Sequence, residues 1–389
     1  MAFLDCSKAF DSISRGVLIR KLEKMGVKGK ALKLIKSYLS CRVQRVRVGN
    51  EYSDCLLVSF GVPQGSILGP LLYLLYCADM EEALKGICDI ICFADDTNTI
   101  SAGNTEYEAM REAEKSLGVL DEWFRANKVK ANAGKSKYLI IKENGRKKEE
   151  EEEKTTPELM MGGERLQRIL SKSKEKENTS VSFVGLQLDE TVDFQSHVKK
   201  IIKKANFGLF GLSLIRKEIN KEGRLFIYHS LIQSHLMQNL LAYGRTNKKN
   251  IKKIEKIQRR GVRLVEGKGK RESIEEDMMK NRILPISENY KLINCIWATK
   301  IITGTAPEGV SKLFDWMPSQ RAKQFRLPRF KKEKNKNLSP VWSISKLWNS
   351  LPLELKEKLL EKANLDNEGK STKTILKRFF LGQSPQKRR

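Results

Sequence analysis

The chain has 389 residues, in which 74 lysines and arginines outnumber 47 aspartates and glutamates, giving a net charge of +27. A surplus of this size favours a polyanionic partner, nucleic acid before a membrane surface, and the length allows two or three domains. Seven cysteines without paired spacing argue against a disulfide framework and a zinc site, and favour reduced, mostly buried thiols.

The first third of the chain mixes predicted strands and helices. Apolar residues at helical spacing and glycine stops define the helices, and β-branched alternation defines the strands. These elements are, in chain order, a strand over 2–5, helices over 14–26 and 31–39, and strands over 43–59. Mixed elements of this kind predict an α+β fold, with a sheet layer that carries helices on one face.

A loop rich in glycine and proline, residues 61–70, leads into an apolar helix over 67–84. The longest apolar run, residues 67–78, is too short to span a bilayer. No charged-then-apolar leader opens the chain. We therefore expect an intracellular protein, nuclear or cytoplasmic, with no membrane contact and no evident protein partner.

Two adjacent carboxylates, Asp95 and Asp96, stand in a segment that otherwise has the pattern of a buried strand. Apolar residues 90–93 precede them and a β-branched alternation follows, which predicts a tight hairpin with the acidic pair at its tip. Like charges this close raise each other's pKa unless a cation lies between them. Taken alone, the pair is equally typical of a solvated turn, because Asp favours turns.

Beyond the acidic pair the pattern changes several times. A helix over 105–124 and a strand over 137–141 come first, and the highly charged residues 143–180 then predict a disordered insertion. Strands resume over 181–190, residues 194–302 have a helical pattern, and the chain from 311 onward is basic and punctuated by proline.

The acidic pair is one of five motifs that occur in a fixed order. "FLDCSKAFD" (3–11) ends a strand with Asp5 and places Phe10 five residues later, and "GVPQGSILGP" (61–70) supplies Gln64. "FADD" (93–96), "ANKVKANAGKSKYLII" (126–141) and "FVGLQL" (183–188) follow. Together they resemble motifs A to E of the reverse transcriptase palm of non-LTR (LINE-type, jockey-like) retrotransposons. The resemblance starts at motif A and covers residues 1 to about 310.

This resemblance implies a domain order. It comprises a palm, an antiparallel sheet with helices on one face, over 1–142; the disordered insertion over 143–180; a primer-grip hairpin over 181–195; a helical thumb-like region over 196–310; and a basic C-terminal region over 311–389. Most of the fingers would be lacking, as in a partial element copy or a truncated gene model. We expect little or no polymerase activity from such a chain alone. With so little chain before Asp5, its strand should have few local contacts to hold its register, and it should fray unless tied down.

The implied activity is that of an RNA-directed DNA polymerase, which joins dNTPs to the 3′-hydroxyl of a DNA primer on an RNA template. The resemblance implies two Mg²⁺ ions, replaceable by Mn²⁺, bound by Asp5, Asp95 and Asp96. Asp96 would be the less direct ligand, and the backbone carbonyl of Cys6 an additional one.

Other site residues follow from the same motifs. They are Lys8 and Ala9, whose backbone N–H groups match phosphate-binding positions; Phe10, which matches a steric gate against the ribose 2′-hydroxyl; Gln64 and Gly65, beside the incoming nucleotide and template; Lys135, near the leaving phosphates; and Val184 and Gly185, in the primer grip. Asp11 matches a family position without an evident role. A core Phe10 and a merely superficial Lys135 are the simpler alternatives.

The predicted helix within residues 247–267 has an apolar stripe on one side and a basic stripe on the opposite side. The basic stripe would contact phosphates of a template–primer duplex and consists of Lys252, Lys253, Lys256, Arg259, Arg260 and Arg263. The alternative is a solvated helix face. For the whole chain, the alternative to an enzyme is a nucleic-acid-binding remnant without catalysis. A helical scaffold over 194–389 would leave the motif residues unexplained.

Overall fold

The molecule, described by a computed structural model over residues 1–141, 157–170, 179–318, 323–330, 339–365 and 370–382, divides into two compact units. Unit 1 comprises Met1–Val184 and Asp189–Thr191, and unit 2 comprises Gly185–Leu188 and Val192–Arg389. Within the described ranges, no helix combines the length and apolar character needed to cross a lipid bilayer.

Unit 1 is an α+β unit, as the sequence predicts. Its helices are α1 (Ala9–Ser12), α2 (Arg15–Lys24), α3 (Gly29–Leu39), α4 (Leu68–Cys77), α5 (Met80–Leu84) and α6 (Glu106–Ala126). Its strands are β1 (Ala2–Leu4), β2 (Val43–Gln44), β3 (Arg47–Val48), β4 (Glu51–Tyr52), β5 (Leu56–Leu57), β6 (Asp89–Phe93), β7 (Asp96–Ile100), β8 (Lys137–Tyr138), β9 (Met160–Met161), β10 (Glu164–Arg165), β11 (Gln167–Arg168) and β12 (Val181–Phe183).

The central strand of unit 1 is β1, in a five-stranded sheet ordered β11-β8-β1-β7-β6. All three of its residues are buried, and it pairs antiparallel with β7 on one side and β8 on the other. The terminal amino group of Met1 also donates to the carbonyl of Leu139, 3.0 Å away. The expectation that its register would be poorly held was therefore wrong, because strands from distant parts of the sequence hydrogen-bond both edges of β1.

The helices of unit 1 share one core with the sheet. Ala2 and Leu4, which point to the same face of β1, belong to it together with Leu18 of α2 and Leu117 of α6. Helix α6 begins where the sequence predicts, because the Thr105 side chain accepts a hydrogen bond from the backbone N–H of Glu108.

The predicted acidic hairpin is confirmed, but its first strand is not buried. Strand β6 pairs antiparallel with β7, from Asp89↔Ile100 to Phe93↔Asp96. It lies at the edge of the sheet, so the apolar side chains of Ile91 and Phe93 are 39% and 58% exposed. Periodicity identifies a strand but does not reveal whether it lies at the centre or the edge of its sheet.

The expectation of mostly buried thiols was also wrong. All seven cysteines are free, yet only Cys6 and Cys295 are buried, whereas Cys41, Cys55 and Cys92 are exposed. Cys92 follows the exposure of the edge strand β6, and Cys55 lies between the exposed short strands β4 and β5.

The segment predicted to be a disordered insertion, 143–180, contains ordered chain over 157–170. Strands β9 and β10 form a hairpin, and β11 joins the main sheet by pairing parallel with β8. Leu159, Met161 and Leu166 are at most 2% exposed and belong to the core. These few apolar residues, placed between charged runs, are enough to anchor the segment; residues 142–156 and 171–178 lie outside the described residues.

Unit 2 is mainly helical. Its elements are β13 (Leu186–Leu188), α7 (Gln195–Ile215), α8 (Lys221–Ile227), a π-helical segment (Tyr228–Gln233), α9 (Ser234–Met237), α10 (Leu240–Tyr243), α11 (Lys248–Glu266), α12 (Glu275–Lys280), α13 (Ile286–Ile302), α14 (Glu308–Ser311), β14 (Asp315–Met317), β15 (Gln324–Arg326), α15 (Pro340–Asn349), α16 (Leu353–Leu365) and α17 (Lys370–Gly382).

The chain beyond residue 310 continues the core of unit 2. Cys295 of α13, Phe325 of β15, Trp348 of α15 and Leu376 of α17 are at most 1% exposed and belong to one cluster. The predicted boundary at 310 therefore does not separate two cores, because the later elements bury their apolar side chains against α13.

Candidate active site

A cleft of about 480 Å³ in unit 1 gathers most of the residues that the motifs single out. Its walls come from the end of β1, the start of α1, the loop before α4, the β6–β7 turn and the segment before β8. Eight predicted site residues line it: Asp5, Cys6, Lys8, Ala9, Phe10, Gln64, Asp95 and Lys135. Ser7 and Asn132 also line the cleft, and the sequence analysis did not find them. Gly65 is not among the lining residues.

The acidic residues lie at the ends of two paired strands. Strands β1 and β7 pair from Ala2↔Thr99 to Leu4↔Thr97, and the same register, one position further, sets Asp5 opposite Asp96. Asp95 lies in the turn just before β7 and faces the main cleft, whereas Asp5 and Asp96 both line a neighbouring cleft of about 250 Å³. The backbone thus brings one carboxylate from β1 and two from the hairpin to one end of the sheet.

The electrostatics of this end of the sheet favour a cation. Burial, and then the negative charges of Asp95 and Asp5, raise the pKa of Asp96 above its ordinary value. The mutual repulsion predicted from the sequence is thereby confirmed for Asp96, although burial has the larger effect.

The donor groups of the cleft meet the requirements of Mg²⁺ in part. Carboxylate oxygens are the ligands that hard divalent ions prefer. Among the residues that the structure describes, no group of three or more His, Cys, Asp or Glu side chains is arranged to hold a metal ion. The fit therefore depends on two carboxylates, Asp5 and Asp95, that face one cleft. Burial raises the pKa of the Cys6 thiol to about 12, so at neutral pH Cys6 can offer its backbone carbonyl but not a thiolate.

Phe10 is half-buried at the edge of the cleft. Its ring packs on that of Tyr73 from α4, with centroids 4.7 Å apart and planes tilted by 36°. Tyr73 is only 4% exposed, so it forms a fixed support beneath Phe10. Phe10 thus contacts the core and lines the cleft at the same time. The two alternatives for this residue, core packing and a steric gate, are therefore compatible.

The loop that carries Gln64 is held against α1 and α2. The Gln64 side-chain amide donates to the Asp11 carboxylate at 2.9 Å. Asp11, for which the sequence suggested no role, thus contacts a predicted site residue. The Arg15 guanidinium donates to the carbonyls of Val58, Phe60 and Gly61. Gly61 has φ +77°, and a Cβ there would lie 2.7 Å from the Asp11 Cα, so the close approach requires glycine.

Lys8 and Lys135, both predicted to lie near phosphates, differ in their structural surroundings. Lys8 has a left-handed backbone (φ 48°, ψ 49°) and is followed directly by the right-handed helix α1. A left-handed residue next to right-handed ones can turn successive backbone N–H groups toward an anion. Lys135 is exposed and lines both clefts, next to Asn132.

The predicted primer-grip residues do not line either cleft. Val184 and Gly185 both have positive φ, 45° and 81°, as a tight turn between β12 and β13 requires. A Cβ on Gly185 would lie 2.7 Å from the side-chain nitrogen of Gln238, so Gly185 packs closely within unit 2.

Helix α11 of unit 2 carries the predicted basic stripe. Its buried face contains Ile254, Val262 and Val265, and four of the basic residues are exposed on the other side: Lys252, Lys253, Lys256 and Arg260. The other two have internal partners. Arg259 pairs with Glu275 at 2.6 Å, and Arg263 donates to the carbonyl of Glu272. Sequence spacing could not find these partners because they lie outside the helix.

Comparison with known proteins shows what this part of the chain resembles. Residues 1–188 match the family model described as reverse transcriptase (RNA-dependent DNA polymerase). This stretch, just under half of the chain, is similar to the reverse transcriptase family, as its motifs predict.

The relatives come from insect mobile elements. The RNA-directed DNA polymerase from mobile element jockey of Drosophila funebris is 26% identical, over 68% of this chain and 28% of the relative. The probable RNA-directed DNA polymerases from transposons X-element and BS of Drosophila melanogaster are 27% and 25% identical, with the same shares covered. The chain is thus similar to jockey-type polymerases and spans about 28% of their length.

Proposed function

We propose that unit 1 is the polymerase palm of a non-LTR, jockey-type reverse transcriptase, which extends a DNA primer with dNTPs on an RNA template. The observation that carries the proposal is the cleft of about 480 Å³, because residues from three separate motifs, Asp5, Gln64 and Asp95, line it together. The match of residues 1–188 to the reverse transcriptase family supports the same reaction.

Asp5 and Asp95 would hold Mg²⁺, with Asp96 as a less direct ligand and the Cys6 carbonyl as an additional one. When bound, the ions activate the primer hydroxyl and stabilise the charge on the leaving pyrophosphate. Mn²⁺ can take the place of Mg²⁺ because it also accepts oxygen ligands.

The remaining residues of the cleft would bind and select the nucleotide. Phe10, supported by Tyr73, would lie under the sugar and exclude a 2′-hydroxyl. Asp11 would orient Gln64 beside the base through their hydrogen bond. Lys135 and the backbone N–H groups at Lys8 and Ala9 would neutralise and position the phosphates. Positioning and charge neutralisation of this kind supply most of the rate in phosphoryl transfer.

The exposed lysines and Arg260 of α11 favour a second role for unit 2, which is to contact the phosphates of a nucleic-acid duplex. This role does not need catalysis. A nucleic-acid-binding protein without polymerase activity is therefore the second candidate function.

Primer extension separates the two functions. We would assay the 389-residue chain, and the same chain joined to the segment that precedes the matching region in the jockey polymerase of Drosophila funebris, with an RNA template, a DNA primer, dNTPs and Mg²⁺ or Mn²⁺. In the protein that carries the added segment, we expect extension that Asp95→Asn lowers by about a hundredfold to a thousandfold. Asp89→Asn, on the same hairpin but outside both clefts, is the matched control and should keep the activity. Extension by neither protein, or extension that survives Asp95→Asn, would refute the polymerase proposal.

A further inference from the structure

The backbone of Asp5 is held on both sides by one short segment, residues 132–136. The N–H of Asp5 donates to the Ser136 hydroxyl oxygen at 3.1 Å, and the N–H of Asn132 donates to the carbonyl of Asp5 at 2.8 Å. The Ser136 hydroxyl in turn donates to the carbonyl of Asn132, at 2.8 Å. These three hydrogen bonds form a closed network around Asp5, which lines the cleft.

The strand register explains why a side chain is needed here. Phe3 pairs with Lys137, but Cys6 bridges to Ala131. Between these two pairs, two residues (4 and 5) lie on the side of β1, and five residues (132 to 136) lie on the side of β8. The β8 side therefore has three extra residues, which bulge out opposite Asp5. The regular ladder is interrupted at this point, and the Ser136 hydroxyl supplies the acceptor that a backbone carbonyl would otherwise provide.

The bulge also carries a second cleft residue. Lys135 precedes Ser136 and lines the same cleft as Asp5. Ser136 itself has 0% exposure, so water does not reach its hydroxyl to take over the bond. The conformation of residues 132–136 therefore determines how the Asp5 carboxylate and the Lys135 ammonium group are placed toward the cleft.

We propose that Ser136 is a positioning residue, whose hydroxyl holds the Asp5 backbone so that the Asp5 carboxylate faces the cleft and binds a divalent cation. This inference rests on the proposed function of Asp5 as a metal ligand. Groups that orient a metal ligand without touching the metal commonly contribute 10- to 100-fold to metal affinity. Ser136 is expected to act at the lower end of this range because it acts through the backbone.

The test is direct binding of Mn²⁺ to the full chain, followed through the electron paramagnetic resonance signal of free Mn²⁺, so that no catalysis is needed. We expect Ser136→Ala to raise the Mn²⁺ dissociation constant about tenfold, and Ser136→Thr, which keeps the hydroxyl, to stay within about threefold of the wild type. The matched control is Ser116→Ala. Ser116 also has 0% exposure and donates to the carbonyl of Ala113 at 2.8 Å, but it lies in α6, away from the clefts.

The outcomes separate this inference from the proposed function. If Asp5→Asn weakens Mn²⁺ binding while Ser136→Ala leaves the dissociation constant unchanged, or changes it only as much as Ser116→Ala does, the inference is overturned and the metal site stands. If Asp5→Asn itself keeps the wild-type affinity, both fail. Should Ser136→Ala not fold, Ser136→Cys replaces it, because a thiol has nearly the same shape but is a weak acceptor; wild-type affinity in Ser136→Cys overturns the inference.

Discussion

Replacement of Lys21 is the perturbation whose effect on stability can be worked out most directly. Lys21 lies in α2 and is 9% exposed. Its ammonium donates to the carbonyl of Tyr76 and to the carboxylate of Asp79, both at 2.6 Å. It also lies 4.9 Å from the ring centre of Tyr76 and 4.7 Å from that of Trp123. One cation thus links α2, α4 and α6.

The magnitude follows from these contacts. Lys21→Met keeps the apolar stem but leaves the Tyr76 carbonyl, at the end of α4, without its donor, which costs about 1–2 kcal/mol. The two cation–π contacts add about 0.5–1 kcal/mol each. The ion pair adds little, because the Asp79 side chain is 51% exposed, and removal of a buried charge offsets part of the loss. We expect a net loss of about 2 kcal/mol. Lys21→Ala also removes about three methylenes from the core, at about 0.8 kcal/mol each, for a total of about 4 kcal/mol.

The assay must report on unit 1 alone. Of the five tryptophans, only Trp123 belongs to unit 1. In a chain labelled with fluorotryptophan, the ¹⁹F resonance that Trp123→Phe removes therefore follows the unfolding of this unit in urea. Lys115→Met is the control, because Lys115 is 61% exposed in its pair with Glu112; its effect should stay within about 0.5 kcal/mol. Wild-type stability in Lys21→Met, or equal losses in the Met and Ala variants, would refute this reasoning.

Three further predictions concern nucleotide selection, duplex binding and the pH dependence of stability. In a protein that extends primers, Phe10→Val should lower discrimination against ribonucleotides at least about tenfold while dNTP use persists; unchanged selectivity would leave Phe10 as a packing residue. Replacing four residues of α11 by Gln should reduce the magnitude of the slope of log duplex affinity against log salt by about 3 to 4; the four are Lys252, Lys253, Lys256 and Arg260. Arg259→Gln should change this slope little, because Arg259 pairs with Glu275. Equal effects of the two replacements would contradict the assignment of the exposed residues to phosphate contacts. Hydrogen bonds from Ser273 and then Arg259 lower the pKa of Glu275 from 4.5 to about 2. The stability that this carboxylate contributes is therefore present above pH 4.5 and is lost as the pH falls toward 2. After allowance for its 41% exposure, Glu275→Gln should cost about 1 kcal/mol at pH 7 and nothing below pH 2 in urea titrations, and a loss that persists at pH 2 would contradict the cause.

Local sequence determined the elements that carry the motifs. The alternation around the acidic pair predicts the β6–β7 hairpin, and the helical pattern over 105–124 predicts α6. The motif residues Asp5, Phe10, Gln64, Asp95 and Lys135 could be named from the sequence through the resemblance to the reverse transcriptase palm, because each belongs to a short motif with a fixed position relative to a strand or turn. Such patterns depend on neighbours a few residues away, and a sequence displays those directly.

Tertiary structure alone decided which residues support these positions. The edge location of β6 exposes Phe93, and the parallel pairing of β11 with β8 brings order into a highly charged segment. The bond from Asp5 to Ser136 joins residues 131 positions apart, and Glu275 reaches Arg259 from outside its helix. Each of these depends on which distant elements become neighbours in the folded chain. That choice is made by burial of the whole core and by hydrogen bonding across the sheet, and no local pattern records it.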